Sequence, residues 1–155
     1  MDAPLVIRPA ARSDVETLTD LAMRSKASHG YDEAFMALCR EELAIREKTL
    51  SERDAWVAEA NGEIIGFFAL EPPDEGISTV NPIFVEPNLQ QSGVGRALWR
   101  KLEERARLAG AWAIGLDSDP NAVGFYEKMG CRIIGWSPSG SIPGRMLPKM
   151  KKRLA

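Results

Sequence analysis

The chain has 155 residues, 45% hydrophobic and 27% charged, with 20 Lys and Arg against 22 Asp and Glu. These values predict one globular domain spanning residues 1–155, and the net charge of −2 argues against a dedicated nucleic-acid-binding protein. Two cysteines are too few for a disulfide framework, and neither a signal peptide nor a membrane span is evident, so we expect a soluble cytoplasmic protein.

The first part of the chain predicts a short strand followed by two helices. Leu5 to Ile7 favours a strand that ends before Pro9, and Ser13 to Glu16 has the spacing of a capping box. A first amphipathic helix follows, then a polar loop from Arg24 to Asp32. Asp32 can cap a second helix over about Glu33–Lys48. The inward residues expected for the two helices are Val15, Leu18, Leu21 and Ala22, and then Phe35, Leu38 and Cys39.

A hairpin and a fourth strand come next. Asn61-Gly62 lies between two β-favouring runs, 55–59 and 63–70, and this dipeptide is a strong hairpin signal. The fourth strand ends at Val85 but contains Pro82, which cannot donate a hydrogen bond to a neighbouring strand. We therefore expect a bulge there, or a local parting from a neighbouring strand.

Two closely spaced glycines, Gly93 and Gly95, precede a long amphipathic helix that ends near Gly110. Unpartnered backbone N–H groups and the helix dipole favour an anion at such a helix N-terminus, which suggests a phosphorylated cofactor. Glycine pairs before helices are common, however, and a simple tight turn explains this pair equally well. The loop lacks the Lys-Ser or Lys-Thr of a Walker loop and the third glycine of a dinucleotide fingerprint.

The rest of the chain predicts three more strands and one helix. A strand covers 112–117, where Trp112, Ile114 and Leu116 alternate with Ala113 and Gly115, and Asp119 can cap a helix that ends at Gly130. Strands over 132–136 and about 146–150 flank a loop rich in Gly, Ser and Pro, and the basic stretch Lys149–Arg153 is interpreted as solvated charge. Incomplete strand–helix alternation and the hairpin favour a mixed sheet with helices packed on it.

Three motifs in order resemble the GNAT superfamily of acyl-CoA-dependent N-acyltransferases. They are Val85-x-Pro87, Gln90-x-x-Gly93-x-Gly95 and Asn121-x-x-x-Phe125-Tyr126-x-x-x-Gly130, within residues 77–136. The resemblance implies a single α+β domain with α/β/α layers. Its central sheet would be mixed, mostly antiparallel and of about seven strands, splayed between strands four and five, with helices on both faces. Pro82 lies where the family's fourth-strand bulge is expected.

The resemblance also implies an acetyl-CoA site without a metal. The backbone of Phe84 and Val85 would pair with the pantetheine arm, Asn121 would bond it, and Tyr126 would protonate the departing thiolate. The cofactor's pyrophosphate would be held by a loop of seven residues, namely Gln90, Gln91, Ser92, Gly93, Val94, Gly95 and Arg96. Spacing alone makes Tyr126 a core aromatic and Asn121 an ordinary first-turn residue, so both roles depend on the resemblance.

The general base is left open by the sequence. The polar residues of the fourth strand, Ser78, Thr79 and Asn81, are not bases, which leaves Glu71, Asp117 and His29. Cys39 and Cys131 are expected to be packing residues rather than nucleophiles.

The acceptor pocket is expected in the loops 25–31 and 137–145, with His29 and Tyr31 as tentative contacts, although either loop is equally compatible with a mobile surface segment. The leading hypothesis is an N-acetyltransferase that acts on a small-molecule primary amine by direct attack in a ternary complex. A protein lysine or N-terminal acetyltransferase and a non-catalytic acyl-CoA sensor are the alternatives. We expect no nucleic-acid or membrane partner, and the resemblance allows for a homodimer.

Overall fold

One mixed sheet organises the computed structural model, which describes residues 4–89 and 92–154. Its strand order is β1-β2-β3-β4-β5-β7-β6, and every neighbouring pair is antiparallel except β4–β5. The elements are β1 Val6–Pro9, α1 Val15–Ala27, α2 Glu33–Leu43, α3 Glu47–Glu52, β2 Asp54–Ala60, β3 Glu63–Leu70, β4 Ile77–Val85, α4 Val94–Leu108, β5 Ala113–Asp117, α5 Val123–Lys128, β6 Arg132–Pro138 and β7 Met146–Arg153. The predicted α+β fold is confirmed. Within the described ranges, no helix is long and apolar enough to cross a membrane.

Helices cover both faces of the sheet, because successive residues of a strand point to opposite sides. On β3, Phe67 packs in a cluster with Leu18 and Leu21 of α1. The next residue, Phe68, packs in a second cluster with Leu98 and Leu102 of α4. The sheet therefore separates two apolar cores, as the layered architecture expected from the sequence requires.

The hairpin between β2 and β3 is confirmed. Ala60 pairs with Glu63 across it, and Asn61 and Gly62 have φ angles of 54° and 76°. Two consecutive positive φ values are the geometry that selects Asn-Gly in a two-residue hairpin turn.

The sheet opens between β4 and β5, as expected. On one side of β4 the pairing jumps from Phe68↔Ile83 to Leu70↔Val80, so β4 carries one extra residue. This bulge contains Pro82. On the other side, β4 and β5 pair only from Ile77 to Thr79, and the described part of the chain supplies no partner strand for the remainder of β4 there. The proline predicted to disturb the strand thus lies where the two strands part.

The first helix starts at Val15, within the predicted region, but the predicted capping box at Ser13–Glu16 is wrong. A turn of 3₁₀ helix occupies Arg12–Asp14, and the α1 N-terminus has no side-chain cap. The carboxylate of Asp14 instead accepts from the Ala11 N–H at 2.7 Å and pairs with Arg8 at 2.9 Å. At its other end α1 continues to Ala27, so residues 24–27 of the predicted polar loop, about one turn, are helical.

The second predicted helix is divided into α2 and α3. Between them Ile45 is buried, and its N–H donates to the Thr19 hydroxyl at 2.8 Å. Tertiary packing against α1 therefore interrupts a run that local propensity favours as one helix. Asp32 caps α2 as predicted, by accepting from the Phe35 N–H at 2.8 Å. Leu38 is 57% exposed, which corrects its predicted inward position, while Cys39 is buried.

The basic C-terminal stretch belongs to the sheet. Residues 149–153 pair with β5, those from Lys149 to Lys151 also pair with β6, and Lys152 contacts Glu103 of α4 at 2.7 Å. Trp112 lies just before β5 and is 44% exposed, with the Lys151 ammonium 4.3 Å from its ring centroid. The solvated charge expected for Lys149–Arg153 holds for Lys149 and Arg153, which are exposed, whereas Lys151 and Lys152 are half-buried. The cation–π contact with Trp112 engages the Lys151 ammonium.

Replacement of Ser78 is expected to stabilise the fold. Its side chain is fully buried, and its hydroxyl has no hydrogen-bond partner among the described residues. Because a buried hydroxyl without a partner destabilises the fold, we expect Ser78→Ala to raise the free energy of unfolding by about 1 kcal/mol in urea titrations. Ser118→Ala is the matched control: that serine is equally buried but donates to the Asp119 carbonyl at 2.7 Å, so its loss should destabilise. Equal effects of the two substitutions would contradict the assignment.

Candidate functional site

A cavity of about 630 Å³ follows the opening in the sheet. At one end it reaches Gly95 in the first turn of α4, and at the other it reaches the segment between α2 and α3. Its middle is lined by β4 from Val80 to Val85, by Leu116 and Asp117 of β5, and by Phe125 and Tyr126 of α5. The parting of the two strands is therefore lined by one cavity, which reaches from Gly95 in α4 to the end of α2.

The glycine loop ends in a helix start that exposes backbone donors. Gly93 is the N-cap of α4 with φ +93°, a conformation that glycine adopts without strain. The first helical hydrogen bond joins the Ala97 N–H to the Gly93 carbonyl at 3.0 Å. The N–H groups of Val94, Gly95 and Arg96 precede it, and within residues 4–89 and 92–154 no side chain caps them. Three amides at the N-terminus of a 15-residue helix fit a phosphate group.

Two predicted loop residues, Gln90 and Gln91, lie outside the described residues. Ser92 is described, and its hydroxyl donates to the Leu89 carbonyl at 2.6 Å. This bond closes the turn that precedes α4. A phosphate contact from the Ser92 side chain would have to compete with it.

The end of β4 offers an unpaired edge beside the cavity. Phe84 and Val85 pair with Phe67 and Gly66 of β3, and both line the cavity. The pairing of β4 with β5 has already ended at Thr79. An extended ligand could therefore add to this edge as another strand would.

Tyr126 belongs to the core and also lines the cavity. It is 9% exposed, with its ring 6.0 Å from that of Trp99 and 5.3 Å from that of Phe125 between centroids. Burial raises the pKa of its hydroxyl well above the ordinary value of 10, so the proton is retained at neutral pH. The residue can thus serve as a proton donor while it also fills the core.

A dense polar cluster lies beside the cavity around Asp119. Its carboxylate accepts from Lys26 at 2.7 Å, from Tyr31 at 2.9 Å and from the Asn121 N–H at 2.8 Å. The Asn121 side chain donates to Asp119 and to the Tyr31 hydroxyl, both at 3.0 Å, and Arg145 donates to that hydroxyl at 2.6 Å. The cluster joins the last turn of α1 and the connection after it, the β5–α5 connection and the loop before β7.

Sequence reasoning did not anticipate this cluster. The Asp119-Pro120 pair predicted a helix cap, which the Asn121 N–H bond provides, but nothing local indicated Lys26 or Arg145 as partners. They come from positions 93 residues before and 26 residues after Asp119. Only the fold brings these charges together.

The candidate bases occupy different places. Asp117 and His29 line the cavity, whereas Glu71 is not among its lining residues and accepts from the Asn81 side chain at 3.1 Å. Asp119 also lines the cavity, but its carboxylate is already occupied by several donors. Cys131 is buried, which raises the pKa of its thiol to about 12 and makes it a poor nucleophile, consistent with the packing role expected for it.

The Asp119 cluster predicts a specific loss of stability in acid. Burial raises the pKa of the Asp119 carboxyl, but hydrogen bonds from Lys26, the Asn121 N–H and Tyr31 outweigh burial and lower the pKa to about 2. The unfolded value is near 3.8, so this group stabilises the fold fully above about pH 4 and loses that contribution as the pH falls toward 2. The contribution is about 2 kcal/mol.

Urea unfolding of the wild-type protein and Asp119→Asn, measured between pH 7 and pH 2, tests this expectation. The difference between them should be large at pH 7, where the variant leaves Lys26 without its partner, and should shrink below pH 4. Glu47→Gln, which removes an exposed ion pair with Arg12, is the control and should show a much smaller change. A difference that does not vary with pH would refute the role of Asp119.

The model of the acetyltransferase (GNAT) family matches residues 16–131, most of the chain. The chain belongs to the acetyltransferase (GNAT) family. Membership confirms the predicted resemblance and supports the predicted acyltransferase class. An uncharacterized N-acetyltransferase of Pyropia yezoensis, ycf52, is 32% identical over 73 residues, which cover 46% of this chain and 41% of that protein. The chain spans about two fifths of the length of the curated relatives it matches.

Solved structures of GNAT proteins share the fold. A GCN5-related N-acetyltransferase from Rhodopseudomonas palustris superposes with a TM-score of 0.82 at 23% identity, covering 99% of this chain and 98% of that one. A PaiA N-acetyltransferase from Thermoplasma acidophilum, solved in complex with coenzyme A, superposes with a TM-score of 0.80 at 23% identity, covering 97% of this chain and 99% of that one. At these identities the likeness concerns the fold.

Proposed function

We propose that the protein transfers the acetyl group of acetyl-CoA to the primary amine of a small molecule, by direct attack in a ternary complex. One observation carries this proposal: a single cavity extends from the free amides of α4, through the parted strands and past Tyr126, to the segment between α2 and α3. A diphosphate, an extended arm and an acceptor could therefore bind along one continuous path. We also propose that residues 1–155 form one domain.

Acetyl-CoA supplies an acyl group activated as a thioester. In this proposal the amides of Val94, Gly95 and Arg96 hold its diphosphate, together with Gln90, Gln91, Ser92 and Gly93 of the same loop. The free edge of β4 at Phe84 and Val85 aligns the pantetheine arm, and Asn121 bonds it. The supporting features are the uncapped first turn of α4 and the early end of the β4–β5 pairing.

Acyl transfer to an amine requires that one proton leave the nucleophile and another reach the departing thiolate. Tyr126 is proposed as the donor to the thiolate, because its hydroxyl is protonated at neutral pH and the residue lines the cavity. Asp117 and His29 are the two candidates for the group that receives the amine proton, since both line the cavity. Asp119 is unsuited to that task because its carboxylate is held by Lys26, Tyr31 and Asn121.

A small acceptor is favoured because three segments of the chain line the far end of the cavity. These segments are residues 41–46, Pro82 and Ile83 of β4, and the α3 region with Thr49, Glu52 and Arg53. A protein lysine or N-terminus would need an extended groove leading to the same point. A protein acetyltransferase is therefore the second candidate, and a non-catalytic acyl-CoA sensor is the third.

The test is amine-dependent release of free coenzyme A from acetyl-CoA, measured with a thiol reagent against a panel of small amines and lysine-containing peptides. Turnover with small amines and not with peptides is the expected result. Turnover with peptides alone would replace the first candidate by the second. Tight binding of acetyl-CoA without turnover for any amine would favour the sensor. A homodimer and a cytoplasmic location stay predictions from the sequence.

A further inference from the structure

We propose that Tyr31 is a positioning residue, which locks the side-chain amide of Asn121 so that only its carbonyl oxygen faces the pantetheine arm of coenzyme A. The inference rests on the proposed function, because it takes Asn121 as a contact of that arm. It gives Tyr31 a role behind the cofactor site rather than in the acceptor pocket, where the sequence analysis placed it.

The Tyr31 hydroxyl uses its full hydrogen-bonding capacity within the cluster. A phenol has one proton to donate and two lone pairs to accept with. Tyr31 donates to the Asp119 carboxylate at 2.9 Å and accepts from Arg145 at 2.6 Å and from the Asn121 side chain at 3.0 Å. No capacity is left for a ligand. Tyr31 is also not among the residues that line the cavity.

The side-chain amide of Asn121 has one orientation that satisfies its neighbours. Its Nδ2 carries two protons, which go to the Tyr31 hydroxyl and to Oδ1 of Asp119, both at 3.0 Å. Asp119 is ionised at neutral pH and can only accept, so a flipped amide would set Oδ1 of Asn121 against a carboxylate. The carbonyl oxygen of Asn121 is the atom left for a ligand. Such an oxygen recognises an N–H, and the pantetheine arm carries two secondary amides.

The ring of Tyr31 is held independently of its hydroxyl. It stacks on Phe35 with 4.0 Å between centroids and 15° between planes, and the Arg145 guanidinium lies 5.2 Å from its centroid. Tyr31→Phe therefore keeps the stacking and the cation–π contact and removes only the three hydrogen bonds of the hydroxyl. Asn121 then loses the acceptor for one of its two amide protons.

Calorimetric titration with two probes tests the proposal. Coenzyme A carries the arm, whereas adenosine 3′-phosphate 5′-diphosphate keeps the diphosphate and lacks the arm. We expect Tyr31→Phe to raise the Kd for coenzyme A about fivefold, the scale of one hydrogen bond. The Kd for the shorter probe and the KM for the amine should not change. Trp112→Phe is the matched control, since it removes an aromatic hydrogen bond, to the Glu75 carbonyl, outside the cavity.

A double-mutant cycle separates positioning from a general structural effect. If Tyr31 acts through Asn121, Tyr31→Phe should cause no further loss of coenzyme A affinity in an Asn121→Ala background. Asn121→Ala alone should also weaken the binding of coenzyme A and leave the binding of the shorter probe unchanged. This variant tests the Asn121 contact even if Tyr31→Phe unfolds.

Three results would overturn the inference: additive losses in the cycle, equal weakening of both probes, or a raised KM for the amine with unchanged coenzyme A affinity. In each of these cases the wild-type protein still binds coenzyme A, and the proposed function stands. Failure of the wild-type protein to bind coenzyme A would remove both proposals together.

Discussion

Tyr126→Phe is expected to lower kcat about 100-fold while the Kd for acetyl-CoA changes less than twofold. General acid catalysis contributes about 10² to 10⁴ in rate, and a thiolate is a fair leaving group by itself, which places the effect at the lower end. The ring is buried against Trp99 and Phe125, so phenylalanine preserves the packing and removes only the proton donor. Affinity should persist because none of the proposed diphosphate contacts involves this side chain.

Single-turnover rates and calorimetric titration on the same preparation measure the two quantities separately. The pH profile adds a second readout: since burial raises the pKa of the Tyr126 hydroxyl above 10, the wild-type rate should show no alkaline loss from this group up to about pH 10. The rate of the Tyr126→Phe variant should have the same dependence on pH and be lower at every pH. Unchanged kcat would remove Tyr126 from the acid role and leave it as a core aromatic.

Features encoded by neighbouring residues were predictable from the sequence. Asn61-Gly62 requires two positive φ angles, and the structure has them. Pro82 cannot donate to a sheet, and a bulge occurs at that residue. The amphipathic pattern after Gly93 gave the helix whose first turn reaches the cavity. In each case a covalent or hydrogen-bonding constraint acts within a few residues, so the local sequence was sufficient.

Features that depend on distant residues were not predictable in the same way. The second helix breaks at Ile45 because this residue is buried and bonds to Thr19 of α1. The basic C-terminal stretch is ordered by pairing with β5 and by Glu103 of α4, a contact between residues 49 positions apart. The Asp119 cluster likewise draws Lys26 and Arg145 from opposite ends of the chain. Charge and propensity gave no indication of these partners, which are set by the topology of the sheet.

Gly95→Ala is expected to weaken coenzyme A binding at least tenfold and to lower the stability of the fold. A Cβ at this position would lie 2.9 Å from Cε1 and 3.2 Å from Cζ of Phe125, closer than packed atoms allow. Phe125 cannot move away easily, because its ring lies edge-on to Tyr126 and Trp99. Either α5 or the first turn of α4 must therefore shift, which costs about 1–3 kcal/mol and moves the amides proposed to hold the diphosphate.

Gly135→Ala is the matched control, because that glycine lies in β6 and a Cβ there meets no atom within 4 Å. Coenzyme A titration and thermal unfolding of both variants should show the losses only for Gly95→Ala. Phe125→Leu removes the ring atoms that clash. We therefore expect Gly95→Ala to cost less coenzyme A affinity in the Phe125→Leu background than it costs in the wild-type protein. If affinity stays low there, the methyl group obstructs the ligand directly and the requirement for glycine comes from the phosphate. If Gly95→Ala binds coenzyme A as the wild-type protein does, the first turn of α4 is not the diphosphate site.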